Sequence, residues 1–143
     1  MPKLIAKNKF VNSDYEIHST YEAGISLLGW EVKSLRAKNV KLDNAFCSIS
    51  NKNEIWLNNM NISQYMLVKG ELDRSRKLLM HSREILRLKN YATQLSLIII
   101  PVSIYWVNNR IKLEIALAKR LKKYDKREKI KQQDLKKELN KIY

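Results

Sequence analysis

The amino-acid sequence predicts a mainly β protein with short helices, built as a six-stranded antiparallel barrel that is followed by a basic C-terminal tail. Several stretches alternate between apolar and polar side chains, as strands do when one face is buried and the other meets water. Turn-forming residues separate neighbouring stretches at hairpin spacing. The last 25 of the 143 residues, in contrast, hold few apolar side chains and many basic ones.

The first long strand is predicted over Asp14–Leu28, where apolar side chains take most odd-numbered positions and polar side chains most even-numbered ones. Gly24 within it suggests a bulge or bend, because glycine in a strand adds no side chain to the packing. Gly29 ends this strand. A short helix is predicted over Glu31–Ala37, where the apolar residues have helical spacing and an acidic residue stands in the first turn.

The central part of the chain contains a predicted hairpin. Its two strands are Ala45–Ser50 and Glu54–Ile62, and residues 51–53 form the turn between them. Residues 64–75 show no periodicity and are expected to form a mobile loop.

A short strand and a helix are predicted next. The strand covers Arg76–Met80, and the helix runs from His81 to Tyr91 or Ala92. Glu84 is placed to accept hydrogen bonds from the first amides of this helix.

The strongest hairpin joins Leu97–Val107 to Ile111–Ala118 through Asn108 and Asn109. In its second arm, apolar residues alternate strictly with lysine, glutamate and alanine. All these stretches together make about six strands, mostly connected by hairpins. Since closure of such a sheet removes its exposed edges, the predicted architecture is a small barrel of the oligonucleotide-binding type.

The tail differs in kind from the barrel. Its few apolar residues include Leu135, Leu139 and Ile142, which form a narrow stripe at helical spacing. Such a stripe cannot offset the conformational entropy that is lost when the segment becomes ordered. We therefore expect a barrel domain over residues 1–118 and a tail over residues 119–143 that is disordered when free and helical when bound.

The net charge of the chain indicates which class of partner it binds. The chain holds 28 Lys and Arg against 14 Asp and Glu, a formal net charge of +14, and the tail alone contains 11 basic and 4 acidic residues. A charge of this size favours an anionic partner that relieves the self-repulsion. Nucleic acid is the favoured partner, and an anionic membrane surface or a merely solvated basic face are the alternatives.

The sequence lacks the residue patterns that catalytic sites and metal sites need. Cys47 is the only cysteine and lies in a strand-like stretch, which indicates a buried hydrophobe rather than a reactive thiol. His18 and His81 have no Cys or His at metal-ligand spacing beside them. The three glycines are too scattered for a phosphate-binding loop, and no catalytic signature is present. We expect no enzymatic activity, no cofactor and no metal.

The sequence also predicts a cytoplasmic monomer without a membrane partner. The longest apolar run, Leu97–Val107, is shorter than the roughly 20 residues that span a bilayer. The N-terminus lacks the apolar core of a secretory signal.

Basic side chains cluster beside both predicted helices. The clusters are Lys33, Arg36, Lys38 and Lys41, then Arg74, Arg76 and Lys77, and finally Arg83 and Arg87. Lys and Arg at such positions contact phosphates without reading sequence. For Trp30, Trp56, Tyr65 and Trp106, stacking on RNA bases and packing in the core both stay open.

Four motifs identify a family. Gly29–Arg36 reads GWEVKSLR, Arg76–Leu79 reads RKLL, Ile115–Lys119 reads IALAK, and Tyr124–Glu128 reads YDKRE. In this order and spacing the motifs resemble the SmpB, or SsrA-binding, family of bacterial trans-translation, and the resemblance covers essentially the whole chain. It implies a six-stranded, oligonucleotide-binding-like barrel with short helices and a basic tail.

The resemblance also implies a function and its partners. Members of the family bind the tRNA-like domain of transfer-messenger RNA (tmRNA, or SsrA RNA) and deliver it to ribosomes stalled without a usable codon, for ribosome rescue and tagging of the incomplete peptide. In that role the protein stands in for the missing anticodon arm. The tail forms a helix in the vacant mRNA channel of the small subunit, near the decoding centre and its ribosomal RNA. Alanyl-tRNA synthetase and elongation factor Tu are indirect partners.

Motif and charge together assign the site residues. Those expected to contact RNA are Asn8, Lys9, Glu31, Lys33, Arg36, Lys38, Arg74, Arg76, Lys77, Lys119, Lys122 and Lys123. Those expected to engage the ribosome through the tail are Tyr124, Asp125, Lys126, Arg127, Lys129 and Lys131. Glu31 is unusual in the first set, since a carboxylate repels phosphate. It either accepts hydrogen bonds from base amino groups or 2′-hydroxyls, or serves only as an acid at the start of a helix.

Four positions, at three places in the chain, depart from the family pattern. Asn61 and Asn109 stand where His and Gly are frequent, and Arg120-Leu121 replaces the usual Gly-Lys. Loss of that glycine stiffens the joint between barrel and tail. The alternatives to the implied function are a ribosomal-protein-like module that binds ribosomal RNA permanently, and a chaperone of single-stranded nucleic acid.

Overall fold

The computed structural model describes residues 3–9, 11–63 and 74–121, together with the single residues Arg127 and Lys131. Within these residues the chain forms nine strands and three helices. In chain order they are β1 (Lys3–Lys7), α1 (Val11–Asp14), β2 (Tyr15–Ile25), α2 (Gly29–Arg36), β3 (Val40–Lys41), β4 (Phe46–Ile49), β5 (Ile55–Asn58), β6 (Asn61–Ile62), β7 (Arg76–Leu79), α3 (Ser82–Gln94), β8 (Ile98–Val107) and β9 (Arg110–Arg120).

Six of the strands close into a barrel. Their order is β8, β4, β5, β7, β2 and β9, and β9 pairs again with β8. Every pairing in this ring is antiparallel. β1 adds to β8 beside the ring, and β3 and β6 pair with each other in a separate sheet. The six-stranded antiparallel barrel is therefore confirmed, and the three further strands lie outside it.

The hairpin of β8 and β9 defines the two ends of the barrel. Its register runs from Val107 opposite Arg110 at the turn to Ile98 opposite Ala118. Asn108 in the turn has φ 55°, a left-handed conformation that asparagine tolerates better than most residues. At about 3.3 Å per residue, the 10 residues of β8 span about 30 Å. We call the end at Asn108 the turn end and the opposite end, where β9 finishes, the tail end.

The barrel continues slightly beyond its predicted boundary at residue 118. Arg120 still pairs with Tyr15 in the ladder between β9 and β2. The N–H of Leu121 then donates to the carbonyl of Asp14 at 2.9 Å. These contacts anchor residues 119–121 to the barrel.

Two predictions fall largely outside the described residues. The predicted loop at residues 64–75 covers residues 64–73, which are not described, and most of the tail is also not described. Arg127 and Lys131 are exposed and have helical backbone. The expectation that the tail is disordered when free and helical when bound stays a prediction.

Apolar side chains fill the barrel from alternate positions. Ile115 and Leu117 of β9 are fully buried in the main core. The intervening Ala116 and its neighbour Ala118 are buried too, because they pack with Val11 of α1 in a second cluster. This second cluster explains why the C-terminal half of β9 is apolar on both faces rather than on one.

Some predicted boundaries are wrong in detail. The strand expected over Asp14–Leu28 is shorter, because a helical turn precedes it and α2 begins soon after it. The bulge expected at Gly24 lies instead between Ile17 and Ser19, where the register with β9 shifts. Gly24 permits a close approach of β2 to β7, since a Cβ at this position would lie 3.2 Å from the Cβ of Leu79.

The strand expected over Glu54–Ile62 is divided into β5 and β6. Asn59 between them has φ 62°, which turns the chain away from the barrel so that β6 pairs with β3. α3 extends to Gln94, slightly further than expected. Within the described part of the chain, the Glu84 carboxylate makes no hydrogen bond to the first amides of α3, so the predicted cap is wrong.

Two adjacent leucines of β7 test the register of the barrel. Leu78 is 2% exposed and Leu79 is 57% exposed. Leu78→Ala should lower the free energy of unfolding by about 2–5 kcal/mol, because it leaves a cavity in the core. Leu79→Ala, the matched control, should change it by only about 0.5 kcal/mol. Urea unfolding measures both, and equal losses would contradict the register of β7.

Candidate nucleic-acid interface

A buried carboxylate attaches α2 to the barrel. The N–H of Leu28, just before α2, donates to Oε1 of Glu31 at 2.7 Å, as an acid at the third helical position often accepts. The same oxygen accepts from Nη2 of Arg74 at 2.6 Å. Oε2 accepts from Nε of Arg76 at 2.6 Å and lies 2.5 Å from its Nη2. We call Glu31, Arg74 and Arg76 the Glu31 lock.

The Glu31 lock is largely removed from water. The side chains of Glu31 and Arg76 are fully buried, and that of Arg74 is 25% exposed. Burial by itself acts to raise the pKa of Glu31, but the hydrogen bonds from Leu28 and the two guanidiniums outweigh it and hold the pKa below its ordinary value. Glu31 is therefore ionised at neutral pH, and the two guanidiniums more than compensate its charge within the lock.

The Glu31 lock joins parts of the chain that are distant in sequence. Arg76 begins β7, and its Nη1 donates to the carbonyl of Met60, between β5 and β6, at 2.6 Å. A second bond also holds α2, since Oγ of Ser34 donates to the carbonyl of Ser63 at 2.7 Å. These bonds fix the position of α2 and hence of its last residue, Arg36.

Arg36 lies over an aromatic ring. Its guanidinium carbon is 5.6 Å from the centroid of the Trp106 ring, within the range of a cation–π contact. Trp106 stands near the turn end of β8, with its backbone opposite Lys3 of β1 and Ile111 of β9. Trp106 therefore lies on the middle one of three paired strands, β1, β8 and β9.

Three depressions surround this pair, with volumes of about 440, 420 and 380 Å³, and Arg36 and Trp106 line all of them. The other basic residues that line them are Lys3, Lys38, Arg110 and Lys112. Leu4 and Leu79, both more than half exposed, add apolar walls. We call these surfaces together the Trp106 groove. Its cations suit phosphates, and its aromatic ring suits the face of a base.

Six of the residues predicted to contact RNA are exposed: Lys9, Lys33, Arg36, Lys38, Lys77 and Lys119. Of these, Arg36 and Lys38 line the Trp106 groove. Lys119 lies at the tail end, opposite Glu16 in the ladder between β9 and β2. The predicted residues are thus spread over the barrel rather than gathered in one patch.

The remaining tail residues of the prediction lie outside the described residues, except for Arg127 and Lys131. Those outside are Lys122, Lys123, Tyr124, Asp125, Lys126 and Lys129.

Three other predicted RNA contacts are buried, which corrects the expectation that they lie at the surface. Glu31 and Arg76 are buried together, because a carboxylate and a guanidinium that leave water need each other's charge. Asn8 is buried as well, and its polar groups are satisfied there, since its backbone N–H and its side-chain Nδ2 donate to backbone carbonyls of β8 at 2.8 and 3.0 Å. Arg74 is intermediate, since its Nη2 is bound to the lock.

The Trp106 groove contains residues that sequence reasoning missed. Lys3, Arg110 and Lys112 meet Arg36 only because β1 pairs with β8 and β8 pairs with β9. Part of the signal was visible in the sequence, namely a tryptophan shortly before a predicted turn and basic residues shortly after it.

The other aromatic residues considered for stacking lie elsewhere. Trp30 is half-buried and packs against the main core, and Trp56 is half-buried on β5. Tyr65 lies outside the described residues.

The described residues hold no group of three or more His, Cys, Asp or Glu that could bind a metal ion. His18 lies beside Tyr91 instead, with ring centroids 6.0 Å apart. Cys47 is buried, as predicted, and its burial raises the pKa of the thiol. Among the helices in the described part of the chain, none is both long and apolar enough to cross a membrane.

Proteins of related sequence match nearly the whole chain. A family model described as "SmpB protein" matches residues 5–143. The chain is 51% identical over 141 residues to an SsrA-binding protein of Mycoplasmopsis synoviae (strain 53), covering 98% of this chain and 97% of that one. It is 46% identical over 144 residues to an SsrA-binding protein of Persephonella marina (strain DSM 14350 / EX-H1), covering 99% and 94%.

A solved structure is similar in fold as well as in sequence. It belongs to the work "tmRNA-SmpB: a journey to the center of the bacterial ribosome". Its similar chain superposes with a TM-score of 0.70 and 36% sequence identity, covering 87% of this chain and 93% of that one.

Glu31→Gln tests the Glu31 lock. At pH 7 the substitution should lower the free energy of unfolding by about 3–5 kcal/mol, because the Arg76 guanidinium stays buried without its counter-charge. The folded-state pKa of Glu31 lies below its ordinary value of 4.5, so the stabilisation is present above that value and is lost as the pH falls through the folded pKa. Urea unfolding of both proteins at pH 7 and at pH 3 should therefore show a smaller difference in acid.

Glu54→Gln is the matched control for that experiment. Its side chain is 35% exposed and its Oε1 lies 3.9 Å from Nζ of Lys77, so the pair contributes only about 0–1 kcal/mol. Equal losses in the two variants, or a loss in Glu31→Gln that does not shrink in acid, would contradict the role of the lock.

Proposed function

The chain belongs to the SmpB family, and we propose that it binds the tRNA-like domain of tmRNA and acts with it on the ribosome in trans-translation. In this role the protein delivers the tRNA-like domain to stalled ribosomes, so that incomplete peptides are tagged and the ribosomes are released. Its relatives bear the name SsrA-binding protein, and the similar solved chain comes from work on tmRNA-SmpB and the bacterial ribosome.

The observation that best supports this proposal is the separation of the Trp106 groove from the root of the tail. Arg36 and Trp106 lie at the turn end. Arg120 and Leu121 complete β9 at the tail end. The length of β8, about 30 Å, separates the two ends. A protein that binds RNA at one end and extends a cationic tail from the other is suited to connect an RNA with a ribosome.

The proposed RNA contacts are mainly electrostatic. The exposed basic side chains of α2 and of the Trp106 groove contact phosphates, which provides affinity that falls with salt. These contacts comprise Lys3, Lys33, Arg36, Lys38 and Arg110, with Lys9, Lys77, Lys119, Lys122 and Lys123 extending the surface. Glu31 and Arg76 contribute by holding α2 in position rather than by touching RNA.

The tail has a separate proposed role. It begins after Leu121, where the last described bond to the barrel is made. Its residues engage the small subunit at the decoding centre and in the mRNA channel, through Tyr124, Asp125, Lys126, Arg127, Lys129 and Lys131. We further propose a cytoplasmic monomer without catalytic activity, for which alanyl-tRNA synthetase and elongation factor Tu are indirect partners. No observation on the described residues favours a permanent ribosomal subunit or a single-strand chaperone, so neither is proposed.

Truncation after Leu121 tests the two-ended arrangement. This end point keeps β9 and the bond from Leu121 to Asp14. The variant should bind the tRNA-like domain of tmRNA within about tenfold of the full chain at physiological salt, because the barrel carries the specific contacts. It should fail to support peptide tagging on ribosomes stalled in vitro. Filter binding and a tagging assay measure the two properties.

Two control RNAs accompany this experiment, a folded elongator tRNA and an unstructured oligonucleotide of equal length. Binding of the full chain to the controls as tightly as to the tRNA-like domain would refute the proposed partner. Full tagging by the truncated chain would refute the proposed role of the tail.

A further inference from the structure

The side chain of Trp106 contacts both the core and an exposed cation. The side chain is half-buried and packs against the main core, while the guanidinium of Arg36 lies 5.6 Å from its ring centroid. Arg36 itself is exposed. The planar guanidinium stacks on aromatic faces and is weakly hydrated, so its outer face can accept a further planar group. The pair therefore places a planar cation over an aromatic ring at a surface that is open to solvent.

The side chains around Arg36 and Trp106 indicate which class of ligand fits this site. Lys3 and Lys38 line the adjoining depressions and carry positive charge for an anionic backbone. Leu79, 57% exposed, provides an apolar wall in the third depression. A ligand that matches cations, an apolar wall and a planar face at once is a nucleotide. A base within a duplex hides its face, so the nucleotide must be unpaired.

We propose that Arg36 and Trp106 form a stacking platform for one unpaired base of the bound RNA, with Lys3 and Lys38 contacting the neighbouring phosphates. This inference rests on the proposed function and specifies which feature of the RNA the Trp106 groove accepts. In this arrangement the Trp106 side chain has both of the roles that the sequence left open, since it packs against the core and supports a stacked base. Its buried part fixes the ring, and Arg36 extends the ring toward solvent.

Trp56 shows that a half-buried tryptophan on a strand is not sufficient for such a platform. Its backbone lies opposite Ser48 of β4 and Lys77 of β7, and Trp56 lines none of the three depressions of the Trp106 groove. Trp56 therefore serves as a control, because it has the same side chain and is also half-buried on a strand but lies outside the Trp106 groove.

Three substitutions in the full chain test the platform: Trp106→Leu, Trp106→Phe and Trp56→Leu. The readouts are the dissociation constant for the tRNA-like domain of tmRNA and its dependence on salt. Trp106→Leu should weaken binding by about 10- to 100-fold, as the loss of one stacked base does. Its salt slope should stay unchanged, because no charge is removed. Trp106→Phe keeps an aromatic face and should stay within about threefold of the unsubstituted protein, as should Trp56→Leu.

A second measurement keeps the proposal testable if Trp106→Leu does not fold. With Trp30 and Trp56 replaced by Phe, the remaining tryptophan fluorescence reports on Trp106, and a base stacked on the platform should quench it when the RNA binds. Absence of quenching in a protein that binds the RNA would overturn the platform, as would unchanged affinity in a folded Trp106→Leu variant. Failure of the unsubstituted protein to prefer the tRNA-like domain over the control RNAs would overturn the proposed function itself, which is a distinguishable result.

Discussion

A carboxylate that leaves water needs compensating charge, and in this protein that requirement fixes the position of a helix. Glu31 is fully buried, and Arg74 and Arg76 supply the charge. Because Arg76 also binds the carbonyl of Met60, the Glu31 lock connects α2 to β7 and to the segment between β5 and β6. Arg36 at the end of the same helix is thereby held over Trp106. A buried acidic residue next to a basic surface thus has a structural role that requires no contact with phosphate.

The closed barrel provides the distance that the proposed function needs. The β8–β9 hairpin carries the Trp106 groove at one end and the root of the tail at the other. The joint to the tail is firm, because the ladder runs to Arg120 and the N–H of Leu121 is bonded to Asp14. Since these are backbone bonds that any residue other than proline can make, the predicted stiffening of this joint by Arg120-Leu121 stays a prediction.

Sequence patterns that span only a few residues predicted most of the fold. Alternation and helical spacing identified the strands of the ring, the two main hairpins and the two longer helices, because each depends on near neighbours. The interface depends instead on residues that are far apart in the sequence. The sequence could not show that Glu31 is buried, since its partner Arg76 approaches only when β7 is in place. Nor could it place Lys3 beside Trp106, which the pairing of β1 with β8 brings about. The family resemblance pointed to Glu31 and Arg36 together but not to their opposite exposures.

A double-mutant cycle on RNA affinity tests most directly whether Glu31 acts through α2. The four proteins are the unsubstituted chain, Glu31→Gln, Arg36→Gln and the double variant, each confirmed as folded by circular dichroism at the temperature used. If Glu31 only positions Arg36, the double variant should bind the tRNA-like domain about as weakly as Arg36→Gln alone, because the two losses share one cause. If the two losses multiply, Glu31 affects RNA affinity by a route that does not pass through Arg36, which would contradict the claim that the Glu31 lock acts by holding Arg36 over Trp106.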